Sequence, residues 1–370
     1  MLGNWTTDRA INGRTAIPWE ALVVTTGPIR MKRKVQQLGS STLAVTVPAD
    51  WARHHEIEKG DELIVQRDEN GGSLLLVPEQ PTIEDIEATI DADELTADAL
   101  ERAIVTQYVL GRQLIRVEST APLSLEHRNA VLAAEGRLMG LGIVEQAETA
   151  VTVRCSVAPG DFNLPTLLGR LSRTEAMIRS EAVTTLVEGD AEAAVRISDR
   201  NEQVEKLFYL FLRLVFATYR NPRLNSAVGL ETGFPLIGYR SVAQDIVLMA
   251  DAAVEIATLV ADADGRTPDE ATAAKIRTLG DTIDSAASAT RTAVTTPDYG
   301  TTEEARTAFA LVDEHIEALN DHLAAERPEP LLTLQRSVVL LERSARHARD
   351  SLAVATHLSF RDDPDLVTSE

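Results

Sequence analysis

Cysteine, lysine and aromatic side chains are scarce in this chain, and each scarcity closes off a class of protein. Cys155 is the only cysteine among 370 residues, so neither an intrachain disulfide nor a multi-thiolate zinc site can form. Aromatic residues make up 4% of the sequence while Ala, Leu and Val are plentiful, a composition that suits helical bundles better than a β-sandwich. No apolar run approaches the roughly 18 residues of a membrane span. The N-terminus also lacks the charged segment and apolar core of a signal peptide. The chain is therefore read as cytoplasmic, with no membrane insertion. Catalytic signatures are missing as well: there is no H-E-x-x-H, no G-x-S-x-G and no P-loop. None of His315, His322, His347 and His357 has the Glu three residues before it that a di-iron bundle needs. The expectation is a protein that is not an enzyme and requires no cofactor.

What is abundant is negative charge. The formal net charge is −21, and lysine occurs only at positions 32, 34, 59, 206 and 275. Acidity with so little lysine resembles proteins of salt-loving archaea, whose charged surfaces stay soluble in concentrated salt. It argues against non-specific nucleic-acid binding, but it does not exclude a small basic module.

The chain reads as a multidomain α+β protein. Residues 1–30 show no period and contain Gly3, Gly13, Pro18, Gly27 and Pro28. They are read as a disordered extension or an over-read ahead of a native start at Met31. Residues 31–79 hold short strands at Val35–Leu38, Thr42–Val47, Leu63–Arg67 and Leu74–Val77, with a helical turn after Pro48 and a hairpin at Asn70-Gly71-Gly72. The order of these elements, with LAVTVPADWA at 43–52 and IEKGDELIV at 57–65, resembles the AbrB/SpoVT/MazE swapped-hairpin family. That resemblance implies an intertwined homodimer that binds DNA. Lys32, Arg33, Lys34 and Arg53 would line its basic edge, with Ser40 and Ser41 standing where such families often carry an Arg. A serine hydroxyl can bond a phosphate but cannot read guanine bidentately. A pure dimerisation clip is the other reading of this module.

Residues 80–160 read as a small α/β connector. Helices are expected at Leu100–Leu110 and Leu125–Met139, and strands at Gln113–Val117, Gly142–Gln146 and Ala150–Val157. Cys155 is expected to be buried, and the acidic run Thr82–Thr96 to be a solvated face. The connector is taken as a spacer, with a small-ligand sensor as the alternative.

Residues 161–358 carry six amphipathic helices, and residues 359–370 a polar tail. Pro165 suits a first turn, Gly189 a helix end and Asp190 an N-cap. Asn201–Leu207 recurs as Asp313–Leu319, and Ile246–Ala257 aligns with Leu341–Leu352, which suggests a duplicated three-helix bundle. The duplicated unit, with acidic positions four apart on its second and third helices, resembles the PhoU family of phosphate-uptake regulators. In that family such carboxylates face one another and hold metal ions. Here Glu205, Asp251, Asp313, Glu317 and Glu342 occupy the metal positions, while Asn201, Val247 and Arg346 depart from the pattern. Arg346 is expected to replace the metal in the second half by pairing with Glu342, Asp313 or Glu317, and Arg346→Asp to open that half to a cation. A single weakly bound divalent metal is left open.

Together the resemblances imply a phosphate-responsive transcriptional regulator whose partners are promoter DNA and a second copy of itself. The alternative is an inhibitor docking on the ATPase of a phosphate transporter, with the N-terminal module only dimerising.

Overall fold

A computed structural model describes residues 32–38, 42–67, 74–78, 87–221, 224–230, 234–263 and 265–362. The expectations for residues 1–31, for the hairpin turn at 68–73 and for the tail beyond 362 lie outside these residues. The fold class is multidomain α+β, and the chain forms two compact units, Met1–Asp61 and Glu62–Glu370.

In the first unit, β1 (Gln36–Leu38) and β2 (Thr42–Ala44) pair antiparallel, with Leu38 opposite Thr42. Pro48 at φ −59° leads into α1 (Ala49–His54), and Trp51 packs its ring 4.9 Å from that of His55. The Lys59-Gly60-Asp61 turn uses a φ of +112° at Gly60, a value glycine adopts without penalty. Leu38 and Leu43 remain 62% and 71% exposed, so the unit does not bury its own apolar side chains.

The second unit begins with a hairpin of β3 (Leu63–Arg67) and β4 (Leu74–Pro78), in which Leu63 lies opposite Pro78. A four-stranded sheet follows in the order β5-β6-β8-β7, from β5 (Glu87–Asp91), β6 (Leu114–Glu118), β7 (Leu141–Gln146) and β8 (Ala150–Cys155). β5 corrects the reading of Thr82–Thr96 as only a solvated acidic face. Ile90 and Ala92 are buried, and Glu87, Thr89 and Asp91 point outward. The alternation of a half-buried strand is present there but carries carboxylates on its wet side. β5 pairs parallel with β6, so α2 (Ala97–Val109) is the crossover between them. β6–β8 and β8–β7 are antiparallel. Helix α2 and α3 (Leu125–Arg137) pack on each other and against the sheet. Thr96 and Ser124 cap their N-termini by accepting from Ala99 N and His127 N. Cys155 is buried in β8.

The bundle comprises α4 (Leu164–Glu188), α5 (Ala191–Arg220), a short α6 (Leu224–Ala227), α7 (Phe234–Asp262), α8 (Glu270–Thr295), α9 (Tyr299–Glu326) and α10 (Leu331–Asp362). Helices α4, α5 and α7 pack on one another, as do α8, α9 and α10, and α4–α8 and α7–α10 join the two triplets. The stripes that build this core are Leu171, Ile178 and Leu186 on α4, Val204, Phe211 and Leu214 on α5, and Leu334, Leu341 and Leu352 on α10. Gly189 ends α4 at φ +66°, and a Cβ there would lie 2.6 Å from the carbonyl oxygen of Gly265. Both conformation and space therefore demand glycine where the α4–α5 and α7–α8 turns meet.

Two arginine clusters lock the architecture. Arg179 of α4 is 1% exposed; its Nε donates to Glu175 Oε1 at 2.7 Å and its Nη1 to Asp284 of α8. Arg213 of α5 reaches the end of α2, donating to Tyr108 O at 2.6 Å, Arg112 O at 2.9 Å and Gly111 O at 3.3 Å. Its guanidinium also lies 4.9 Å above the Tyr108 ring. Arg220 adds a bond to Leu110 O at 2.9 Å. Cations capping the carbonyl end of a helix satisfy groups that have no intrahelical partner.

Removing the Arg213 side chain takes a charged donor away from the Tyr108, Gly111 and Arg112 carbonyls. Arg213→Ala is therefore expected to lower the unfolding free energy by about 3 kcal/mol, and Arg220→Ala, at the exposed rim, by less. Urea denaturation midpoints of the two variants against wild type check the ranking.

Candidate functional site

The helix-face carboxylates fall into two groups, one in each half of the bundle. In the first half, α5 contributes Asn201 and Glu205, and α7 contributes Val247 and Asp251. Burial pushes the Asp251 carboxyl above its ordinary value, opposed by a hydrogen bond from Asn201 and reinforced by the charge of Glu205. Glu205, however, belongs to another contact. Arg137, the last residue of α3, donates to Glu205 Oε2 from Nη2 at 3.0 Å and from Nε at 3.2 Å. The same guanidinium bonds Glu101 of α2 at 2.5 Å and the Tyr209 hydroxyl at 3.3 Å. It also stands 5.5 Å over the Tyr209 ring. The expected ligand Glu205 is thus an ion-pair partner that fastens the α/β unit to the bundle.

In the second half, Asp313 and Glu317 of α9 and Glu342 of α10 line one open groove of about 450 Å³, together with Arg346 and Arg349. Arg346 Nη2 lies 3.3 Å from Glu342 Oε1. Arg349, which the family comparison of positions did not single out, donates to Asp313 Oδ1 at 2.7 Å and sits 5.1 Å over the Phe309 ring. The residues present therefore do not fit a cluster of divalent metal ions. A guanidinium already neutralises Glu205 in one half, and two guanidinia neutralise Asp313 and Glu342 in the other. Glu317 is exposed on the groove wall.

The basic residues of the N-terminal module are placed more simply. Lys32, Arg33 and Lys34 are exposed immediately before β1, and Arg53 is exposed on α1 with its Nε donating to Ala49 O at 3.2 Å. Ser40 and Ser41 lie outside the described residues. Among the described residues no helix is long and apolar enough to cross a membrane.

Comparison with known proteins gives two separate family matches along the chain. Residues 36–84 match a family described as antidote-toxin recognition MazE, bacterial antitoxin. Residues 168–260 match the PhoU domain. Among solved structures, the crystal structure of PhoU from Pseudomonas aeruginosa is similar to the chain at 14% identity and a TM-score of 0.45. The similarity covers 53% of this chain and 94% of that one. No curated protein matches the sequence.

Two outcomes follow from the geometry. Arg346→Asp alone is expected to gain no metal, because Arg349 still holds Asp313. The double variant Arg346→Asp/Arg349→Gln is expected to gain a divalent ion, read by elemental analysis after dialysis against Mn²⁺. For Asp251, the folded-state carboxyl titrates above its ordinary 3.8. Its contribution to stability is therefore complete below that value and is lost as pH rises through the raised one. Asp251→Asn is accordingly expected to raise the melting temperature at pH 7, with the gain shrinking toward pH 4. Thermal scans across that range check it.

Proposed function

We propose that this chain is a phosphate-responsive regulator that acts in the cytoplasm as a homodimer, binds DNA at promoters and controls phosphate uptake at the level of transcription. The observation that carries this reading is the presence, in one chain, of a MazE-like segment and a PhoU domain. The N-terminal segment supplies support of two kinds. Val35, Leu38, Leu43 and Val45 are all more than half exposed, which suits a module whose core is completed by a second copy. Lys32, Arg33, Lys34 and Arg53 give an otherwise acidic protein a local surface for phosphates. Coupling requires two bundle states that differ in DNA affinity, with the phosphate signal biasing one of them.

A second reading is favoured by the bundle surface, where Tyr219 of α5 and Ile237 of α7 are 76% and 66% exposed. Large apolar side chains left in solvent suit a protein partner. In this reading the bundle docks on the ATPase of a phosphate transporter and the N-terminal module only dimerises.

Titration of the full chain against its own upstream DNA and phosphate-transporter promoters, in potassium salts of several concentrations, separates the two. Sequence-selective binding is expected. Replacing Arg33, Lys34 and Arg53 with Gln should abolish it and lower the slope of log K against log salt by about 3. Absence of selective binding from the folded protein, with co-purification of a transporter ATPase, would favour the docking reading.

A further inference from the structure

We propose that Asp245, His347 and Asp350 form a binding site for a single first-row divalent metal ion that bridges the two halves of the bundle. Asp245 lies on α7, and His347 and Asp350 lie on α10, three residues apart and so on one helix face. One ligand atom from each of the three lies within 4.8 Å of the others. None of these residues is among the acidic positions that the duplicated pattern picks out.

Three features separate this cluster from a chance meeting of polar groups. The first is the state of the imidazole. His347 Nδ1 is buried without a hydrogen-bond partner. It stands 3.7 Å from Asp245 Oδ1 and 4.0 Å from Asp350 Oδ2, too far for hydrogen bonds. Ligands at about 2.0–2.2 Å from a tetrahedral ion lie about 3.3–3.6 Å apart, so the two His347 contacts need to shorten by a few tenths of an ångström, and the two carboxylate oxygens, which lie within 4.8 Å of each other, by about an ångström at most. A buried nitrogen with no partner is costly, and an ion supplies the missing one.

The second feature is uncompensated charge. Elsewhere in the bundle Glu175, Glu205, Asp284, Asp313 and Glu255 each meet an arginine. Among the described residues, no Arg or Lys forms an ion pair with Asp245 or Asp350. Two carboxylates beside one imidazole leave a place for a cation.

The third feature is a prepared outer partner. Ser351 Oγ donates to Asp245 Oδ2 at 3.1 Å, which leaves Oδ1 directed toward His347. Bonds of this kind fix the orientation of metal-ligating carboxylates.

The donor set selects the metal. One imidazole nitrogen with two carboxylate oxygens suits Zn²⁺, Co²⁺ or Mn²⁺ better than Mg²⁺ or Ca²⁺, which take oxygen ligands. The Asp245 and His347 side chains are 16% and 20% exposed, but Asp350 is 62% exposed. The ion therefore keeps water on one side, with three ligands from the protein. Because α7 belongs to the first triplet and α10 to the second, occupancy strengthens the junction between them.

The test uses the full-length chain, stripped with chelator and exchanged into metal-free potassium chloride buffer, with Zn²⁺ and Co²⁺ as probes. Calorimetry is expected to show one tight Zn²⁺ site per chain. Co²⁺ is expected to develop the visible absorption of a nitrogen-containing low-coordinate site, and Zn²⁺ to raise the melting temperature. His347→Ala and Asp245→Asn should abolish all three signals, and Glu317→Gln should leave them intact. If the buried substitutions fail to fold, Asp350→Asn, on the exposed ligand, should still weaken Zn²⁺ binding at least tenfold. The proposal is overturned if neither ion binds stoichiometrically. It is equally overturned if binding survives unchanged in Asp350→Asn and in whichever buried variants fold, because the ion would then sit on the acidic surface.

Discussion

A guanidinium sealed between two helices of opposite repeats is the constraint on which the bundle depends. Arg179 cannot lose its charge, and at 1% exposure it has no water to turn to. It must find carboxylates, and it finds Glu175 one turn back on its own helix and Asp284 across the interface. Burial pushes both carboxyls upward while Arg179 holds them down. Such a cluster adds little net stability compared with apolar packing of the same volume, but breaking it leaves a buried charge alone. Its effect is to select one register: any slide of α4 along α8 by a turn would separate Arg179 from Asp284. The apolar stripes of two duplicated triplets could otherwise pack in several offsets, since leucine ridges repeat every turn.

The same residue type recurs at several other joints. Arg137 joins α3 to α5, Arg213 and Arg220 join α2 to α5, and Arg343 joins α10 to Glu255 on α7. Lysine would not serve in these places. A planar fork can bond several carbonyls or two carboxylates at once and still lie over a ring, as Arg137 and Arg213 do. The scarcity of lysine and the dominance of arginine among the cations thus have a structural counterpart at the joints, beside whatever they do for solubility.

Much of the fold was legible from local signals. Gly189, Asp190 and Pro165 mark helix ends because each has a short-range steric or hydrogen-bonding reason to stand there. The duplicated stripe carries the bundle because its period is helical. β5 was hidden by the carboxylates on its wet face, which outweigh Ile90 and Ala92 in any reading by composition. The site was far less legible. That Glu205 belongs to Arg137, 68 residues away, and that Asp245 faces His347, depends on which helices pack. No spacing within a single helix encodes either contact. Arg349 is the instructive miss: it lies three residues past Arg346, on the same face, and helical geometry alone would place both arginines in one groove.

Because the carbonyls where α2 ends and its loop begins are met by side chains of α5, the sheet and the bundle are tied together as one piece. Recombination that joined this sheet to another helical protein would deliver a helix end whose Gly111 and Arg112 oxygens had lost the guanidinium that meets them. The recipient would have to supply a buried arginine at the matching height before the graft could be neutral. Drift is limited in the same way: Arg213 answers to residues about a hundred positions earlier in the chain, so neither segment can change its length near the joint without the other.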